Sequence, residues 1–250
     1  MAEKVSDYYE YFEFKEDYDK AEEIVNIIIN NIPSYDVNDP NYELKVFTYI
    51  YVQLSTMLKY DEEAAKIKGS LSGFDAEEIY PYKVYPREDI RGLVSGKLIC
   101  TGFAEVLSYV LHKVNIDSIK VSGVSSTSGH VWNQVKLDGI WYNTDLTADS
   151  HRIVAGLKCR DFLVSNEDCT CYKEYDVKEE HNDCNKTVSD EMQEKLINEA
   201  LTKVIIITKN EEPITLDKEG KPLPKFISKI IELFKKKEDL GGIHLWCILI

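Results

Sequence analysis

Gly96-Lys97-Leu98-Ile99-Cys100-Thr101-Gly102-Phe103-Ala104, Gly129-His130-Val131-Trp132-Asn133 and Trp141-Tyr142-Asn143-Thr144-Asp145 decide how this chain reads. The first block opens a helix. Phe103, Val106, Leu107, Val110, Leu111 and Val114 recur at the spacing of one apolar helical face. Cys100 falls just before that face, and Gly102 lets the backbone turn tightly there. A helix N-terminus presents unpaired amides and the positive end of the helix dipole, which stabilise a thiolate. Cys100 is therefore placed to act as a nucleophile.

The other two blocks read as a hairpin. Asp138-Gly139 separates the run from His130 to Leu137 from the run from Ile140 to Leu146, a strong two-residue turn signal. With Leu137 opposite Ile140, counting outward pairs Trp132 with Asp145 and His130 with Thr147. Side chains alternate between faces. One face carries Val131, Val135, Leu137, Ile140, Tyr142 and Leu146 and is a core face. The other carries His130, Trp132, Gln134, Trp141, Asn143 and Asp145. His130 and Asp145 become same-face diagonal neighbours, roughly 7 Å apart between backbones. An Asp there can accept a hydrogen bond from the imidazole, fix its tautomer and stabilise its charged form. Trp132 and Trp141 share this face and are candidate walls of a substrate groove, with packing the expected role of at least one.

Together the three blocks resemble the transglutaminase-like superfamily, over a span from about Lys45 to about Ser165. The resemblance implies an α+β fold. It would be a papain-like core with a nucleophile helix packed on an antiparallel sheet, flanked by N-terminal helices and a C-terminal extension. Carried over residue by residue, it makes Cys100 the nucleophile, His130 the general base and Asp145 the orienting acid. Tyr60-Asp61 resembles a Tyr-Asp pair that the family often has upstream of its Cys, and Phe103 stands where Tyr is common. The stretch from Ile90 to Ile99 contains no Gln to serve as a papain-type oxyanion donor, leaving the Cys100 backbone N–H as a candidate. The implied function is amide chemistry through an acyl-enzyme, without a cofactor, on a protein or peptide substrate. Water as acceptor gives hydrolysis or deamidation, and an amine gives acyl transfer. A binding module that keeps the fold without the chemistry is the alternative.

Composition bounds the remaining choices. The chain has 250 residues and a formal net charge of −14, which argues against nucleic acid because phosphates would be repelled. Apolar residues at 44% and aromatics at 11% support a packed core. Met1-Ala2-Glu3-Lys4-Val5 leads into acidic and aromatic residues without the apolar run of a signal peptide, and no run has transmembrane length. The expectation is a cytoplasmic protein with reduced thiols, no membrane contact and an oligomeric state that the sequence leaves open.

In chain order, three parts are expected: helical residues 1–90, a core over 91–187 and an extension over 188–250. Helices are predicted over 16–32 and 41–60, and 61–90 reads as a loop or insertion whose tyrosines are candidate groove residues. Ser118 to Val124 alternates as a strand. The chain then turns through Thr147-Ala148-Asp149-Ser150, His151 lies on the surface, and Phe162 to Ser165 resembles a last core strand. A helix is predicted over 188–201 with Ser189 as N-cap, then a strand from Val204 to Thr208. A turn from Gly220 to Pro224 and an amphipathic helix through Phe226, Ile230 and Phe234 follow. Cys159, Cys169, Cys171 and Cys184, with His181, lack paired Cys-x-x-Cys knuckles. They read as free thiols on a polar segment rather than as a zinc site, and no metal is expected. Cys247-Ile248-Leu249-Ile250, downstream of Lys235-Lys236-Lys237, has the form of a prenylation tail, with an added strand the preferred reading.

Overall fold

The computed structural model describes residues 14–70, 84–177, 181–208 and 211–215. The fold is α+β. Helices α1 (Lys15–Asn30) and α2 (Tyr42–Met57) come first. A parallel pair of two-residue strands follows, β1 (Lys59–Tyr60) with β2 (Lys97–Leu98), enclosing α3 (Glu62–Ser70) and α4 (Gly92–Ser95). Then come α5 (Cys100–Lys113), β3 (Ser118–Val124), β4 (Gly129–Leu137), β5 (Ile140–Thr144), α6 (Leu146–Val154), β6 (Phe162–Val164), α7 (Thr170–Glu174) and α8 (Asp190–Leu201). A final hairpin joins β7 (Ile205–Thr208) to β8 (Glu211–Thr215). Strands β3 to β6 form one antiparallel sheet in sequential order. Among the described residues no helix is long and apolar enough to cross a membrane.

Helix α2 is the central pillar. An unbroken run from Val46 to Ser55 is buried, so this helix is covered on every side by α5, α6 and α8. Phe47, Tyr51 and Phe162 meet with ring centroids 5.2–5.7 Å apart. The buried Gln53 amide accepts from the Ile205 N–H and donates to the Ile205 carbonyl, at 2.8 and 3.0 Å, which fixes β7 to the helix. The main core draws on Ala21, Val25 and Ile28 of α1, on α2, on Phe103 to Leu111 of α5, and on Leu196 and Ala200 of α8.

The sheet is covered on both faces. Val135 and Leu137 face the main core, while Val121, Trp132 and Val164 face a second cluster closed by Cys169 and Cys171. Cys159, Cys169, Cys171 and Cys184 are all buried, at 7% exposure or less, which corrects the reading of them as thiols on a polar segment. That segment is polar on average, but Cys169 and Cys171, with Tyr172 and Tyr175, turn toward the sheet.

Several boundaries differ from expectation. The second helix stops at Met57, because Lys59 and Tyr60 leave it to pair with Lys97 and Leu98. Residues 62–70 form α3, capped by the Asp61 carboxylate on the Ala64 N–H at 3.0 Å, and Tyr85–Arg87 is a single 3-10 turn. Thr147 to Ser150 lie in α6 rather than in a turn, and His151 is on that helix, exposed. The hairpin register holds from Leu137↔Ile140 to Asn133↔Thr144 and ends there. Trp132 and His130 keep only their partners on β3, Val121 and Gly123. The expected elements at 220–224 and 226–234, the Cys247 tail, Tyr80 and Tyr82 lie outside the described residues.

Gly102 has a different role from the one expected. It lies inside α5, and a Cβ there would come 2.2 Å from the Arg87 carbonyl oxygen. Absence of a side chain lets the 85–87 turn lie directly on α5, where Arg87 also accepts from the Ile99 N–H at 3.0 Å. We expect Gly102→Ala to destabilise the fold by about 1–3 kcal/mol in urea unfolding. Gly69→Ala, on exposed helix α3 with nothing within 4 Å of its Cβ, should be neutral or stabilising by up to about 1 kcal/mol.

Candidate active site

Cys100 is the first residue of α5. Ile99 delivers it in extended conformation (φ −99°, ψ 176°), and no side chain caps this helix end. The first-turn amides therefore remain available to an anion at the sulfur. Across the gap, β4 carries His130, and the Asn133 amide donates to the Ala104 carbonyl at 3.0 Å and to Ser108 Oγ at 2.9 Å. Strand and helix are thereby pinned to each other one turn beyond Cys100.

Burial raises the Cys100 thiol, but the His130 imidazole, the Val131 N–H and Lys68 together bring it below its ordinary value. For His130, burial disfavours the charged form, yet hydrogen bonds to Asp145 and to Cys100, and their negative charge, outweigh it and lift the imidazole to about 10. The two shifts point the same way, toward a thiolate–imidazolium pair. His130 Nε2 lies 2.7 Å from Asp145 Oδ2, which leaves Nδ1 for the sulfur.

Asp145 owes its position to a break in the sheet. Asn143 and Thr144 are adjacent on β5 but face Val164 and Phe162, so Leu163 is an extra residue, in left-handed conformation (φ 56°). Beyond this bulge Asp145 leaves the strand and caps α6. Its Oδ1 accepts from the Thr147 and Ala148 N–H groups at 3.0 and 3.2 Å. Its Oδ2 takes His130 and the Cys171 thiol, the latter at 3.6 Å.

Aromatic rings enclose the imidazole. Tyr175 stacks on it at 5.2 Å and Trp132 at 6.1 Å. Asp176 pairs with Val124 through two backbone hydrogen bonds, and Gly123 leaves room for Tyr175, whose Cβ would be 2.8 Å from a side chain there. On the other side, the β1–β2 pair joins Tyr60 to Leu98, two residues before Cys100. The Tyr60 ring stacks on Phe103 at 6.5 Å, and burial, with the Cys100 sulfur second, pushes its hydroxyl up to about 12. Asp61 holds the Arg87 guanidinium at 2.9 Å, so the Tyr60-Asp61 pair joins the site to the turn that lies on α5.

The structure thus brings Cys100, His130 and Asp145 together. It does not make a groove wall of Trp132, which is 1% exposed and packed beneath His130. Trp141 is half-buried opposite Lys136 on β5. Neither lines the cavity of about 130 Å³ on the Asp145 side of His130, which is bounded by His130, Asp145, Thr147, Arg160, Cys171 and Tyr175. Sequence reasoning missed Cys171 and Tyr175. Their signal was the recurrence of Cys169, Cys171, Tyr172 and Tyr175 in an otherwise polar stretch.

No protein-family model and no curated protein matches this chain. Among solved structures, one described as "Crystal structure of a TGase" aligns with a TM-score of 0.40 and 17% identity. The alignment covers 78% of this chain and 52% of that one, so the present chain spans about half its length.

Asp145→Asn keeps the α6 cap but removes the charge facing His130. The imidazole pKa should fall from about 10 toward its ordinary value near 6.5. Long-range proton–nitrogen NMR of the His130 ring across pH measures this directly.

Proposed function

We propose that this chain is a thiol-dependent amide-processing enzyme built on a papain-like, transglutaminase-like core. The observation that carries the reading is the line Cys100–His130–Asp145. It joins a thiol at a helix N-terminus, an imidazole that lowers the thiol's pKa, and a buried carboxylate 2.7 Å from the far ring nitrogen. Cys100 thiolate attacks an amide carbonyl and forms a tetrahedral intermediate. His130, holding the proton as imidazolium, gives it to the departing amine, and a thioester remains on Cys100. Neutral His130 then takes a proton from the incoming acceptor, which cleaves the thioester and regenerates the pair. Asp145 holds the ring in the tautomer that presents Nδ1 to sulfur.

The acceptor decides the reaction, and hydrolysis of a peptide or related amide is the reading we favour. In this reading the Cys100 N–H serves as one oxyanion donor, and the Tyr60 hydroxyl, which feels the charge of the Cys100 sulfur, as a second. Tyr60→Phe should therefore lower kcat by about 10²-fold with little change in KM.

The decisive experiment is the pH dependence of Cys100 alkylation by iodoacetamide, mapped by mass spectrometry. Wild type should react well below the ordinary thiol pKa of ~8.5. The imidazolium that supports this thiolate persists until pH rises through about 10. His130→Ala should move the reactive limb upward, and turnover of any peptide substrate found should drop about 10²–10⁴-fold. An ordinary Cys100, indifferent to His130, would make the chain a binding module instead.

A further inference from the structure

Cys171 has a neighbourhood that the thiol chemistry does not use. Its Sγ neighbours the Cys169 thiol and lies 3.6 Å from Asp145 Oδ2, the carboxylate oxygen that also faces His130 Nε2 at 2.7 Å. The three ligand atoms lie within 4.8 Å of one another. All three residues line the cavity of about 130 Å³ described above, and Asp145 and Cys171 are 2% and 3% exposed.

Imidazole nitrogen, carboxylate oxygen and thiolate sulfur are the donors that zinc and its chemical relatives prefer. With Zn–S of ~2.3 Å and Zn–O of ~2.0 Å, a tetrahedral ion spaces its sulfur and oxygen ligands about 3.5 Å apart. The Cys171–Asp145 separation matches that spacing. The His130–Asp145 contact must open by about half an ångström, because the ion replaces the proton between them. Three protein ligands leave a fourth position, which faces the cavity.

We propose that His130 Nε2, Asp145 Oδ2 and Cys171 Sγ form an inhibitory binding site for a zinc-like divalent cation. Binding expels two protons to solvent through the cavity, one from the Cys171 thiol and one from His130 Nε2. No oxidant or reductant is involved. Metal on Nε2 prevents His130 from carrying the second proton of an imidazolium, so the ion switches off the Cys100–His130 pair without touching Cys100. The site itself stands on geometry alone. Its inhibitory effect rests on the thiol mechanism proposed above.

Cobalt(II) is the probe, added to the full chain under reducing conditions. A thiolate-to-cobalt charge-transfer band and intense tetrahedral d–d bands should appear and should vanish on titration with zinc. Cys100→Ala should keep them and Cys171→Ser should lose them. Zinc affinity in Cys171→Ser should fall by more than the ~10–100-fold that loss of an outer-shell partner costs. Should Cys171→Ser lose its far-ultraviolet dichroism, His130→Ala gives the same test through the nitrogen ligand. Absence of the bands in wild type, or their loss in Cys100→Ala with retention in Cys171→Ser, would overturn the site. Zinc should also slow alkylation of Cys100 at least tenfold in wild type and leave it unchanged in Cys171→Ser. Cobalt bands on a protein whose Cys100 is unreactive would keep the metal site and overturn the thiol mechanism instead.

Discussion

The Asp145 carboxylate is the contact on which the site depends. It takes two backbone N–H groups of α6 on one oxygen and His130 and Cys171 on the other. A buried carboxylate without partners is costly, and here the donors supply what water would have given. Because the same group starts a helix and orients the imidazole, the two cannot move independently. The N-cap alone is worth about 1 kcal/mol. The bulge at Leu163 frees Asp145 from β5 in time to do both. The left-handed conformation of a non-glycine residue costs about 1–3 kcal/mol. It is offset because Phe162 and Leu163 can then both be buried in the main core.

Rigidity around that carboxylate comes from polar groups buried with their partners. Asn133 ties β4 to α5, and Gln134 on the opposite face bonds Asn143, Tyr172 and the backbone of Asn182. One strand is thus fixed from both sides within two residues, close to the imidazole it presents. Such networks hold a single arrangement because breaking one bond strands a buried polar group. Asp149 belongs to the same layer. It accepts from Tyr51 at 3.0 Å and from the Arg160 N–H at 2.6 Å, while burial raises its carboxyl to about 7.

Electrostatically, the site sets charge against burial. Desolvation opposes both the Cys100 thiolate and the His130 imidazolium; Asp145 and then Cys100 reverse it at His130, and His130, the Val131 N–H and Lys68 reverse it at Cys100. Tyr175 and Trp132 limit water around the ring, and low local polarity strengthens the pair they enclose. The Cys171 thiol shares Asp145 with this pair, so whatever replaces its proton is felt at His130.

Local pattern was enough for much of this. The helical period from Phe103 to Val114, the Asp-Gly turn and strand alternation placed α5, β4 and β5, while the expected pairing out to Asp145 stops at Thr144. Ser189 as cap of α8 was readable for the same reason, since each signal depends on neighbours a few residues apart. Other features are contacts between distant segments, to which periodicity is blind. The parallel pairing of Tyr60 with Leu98 spans a helix and a turn. Gly102 is decided by a carbonyl at Arg87, Trp132 by the cysteines that cover it, and the hairpin's end by a bulge made with Leu163. The sequence by itself placed α5, β4, β5 and α8 and singled out the residues of the candidate site. Only the tertiary structure decided that Cys171 faces Asp145 and that Trp132 is core, because burial and long-range pairing are properties of the packed chain.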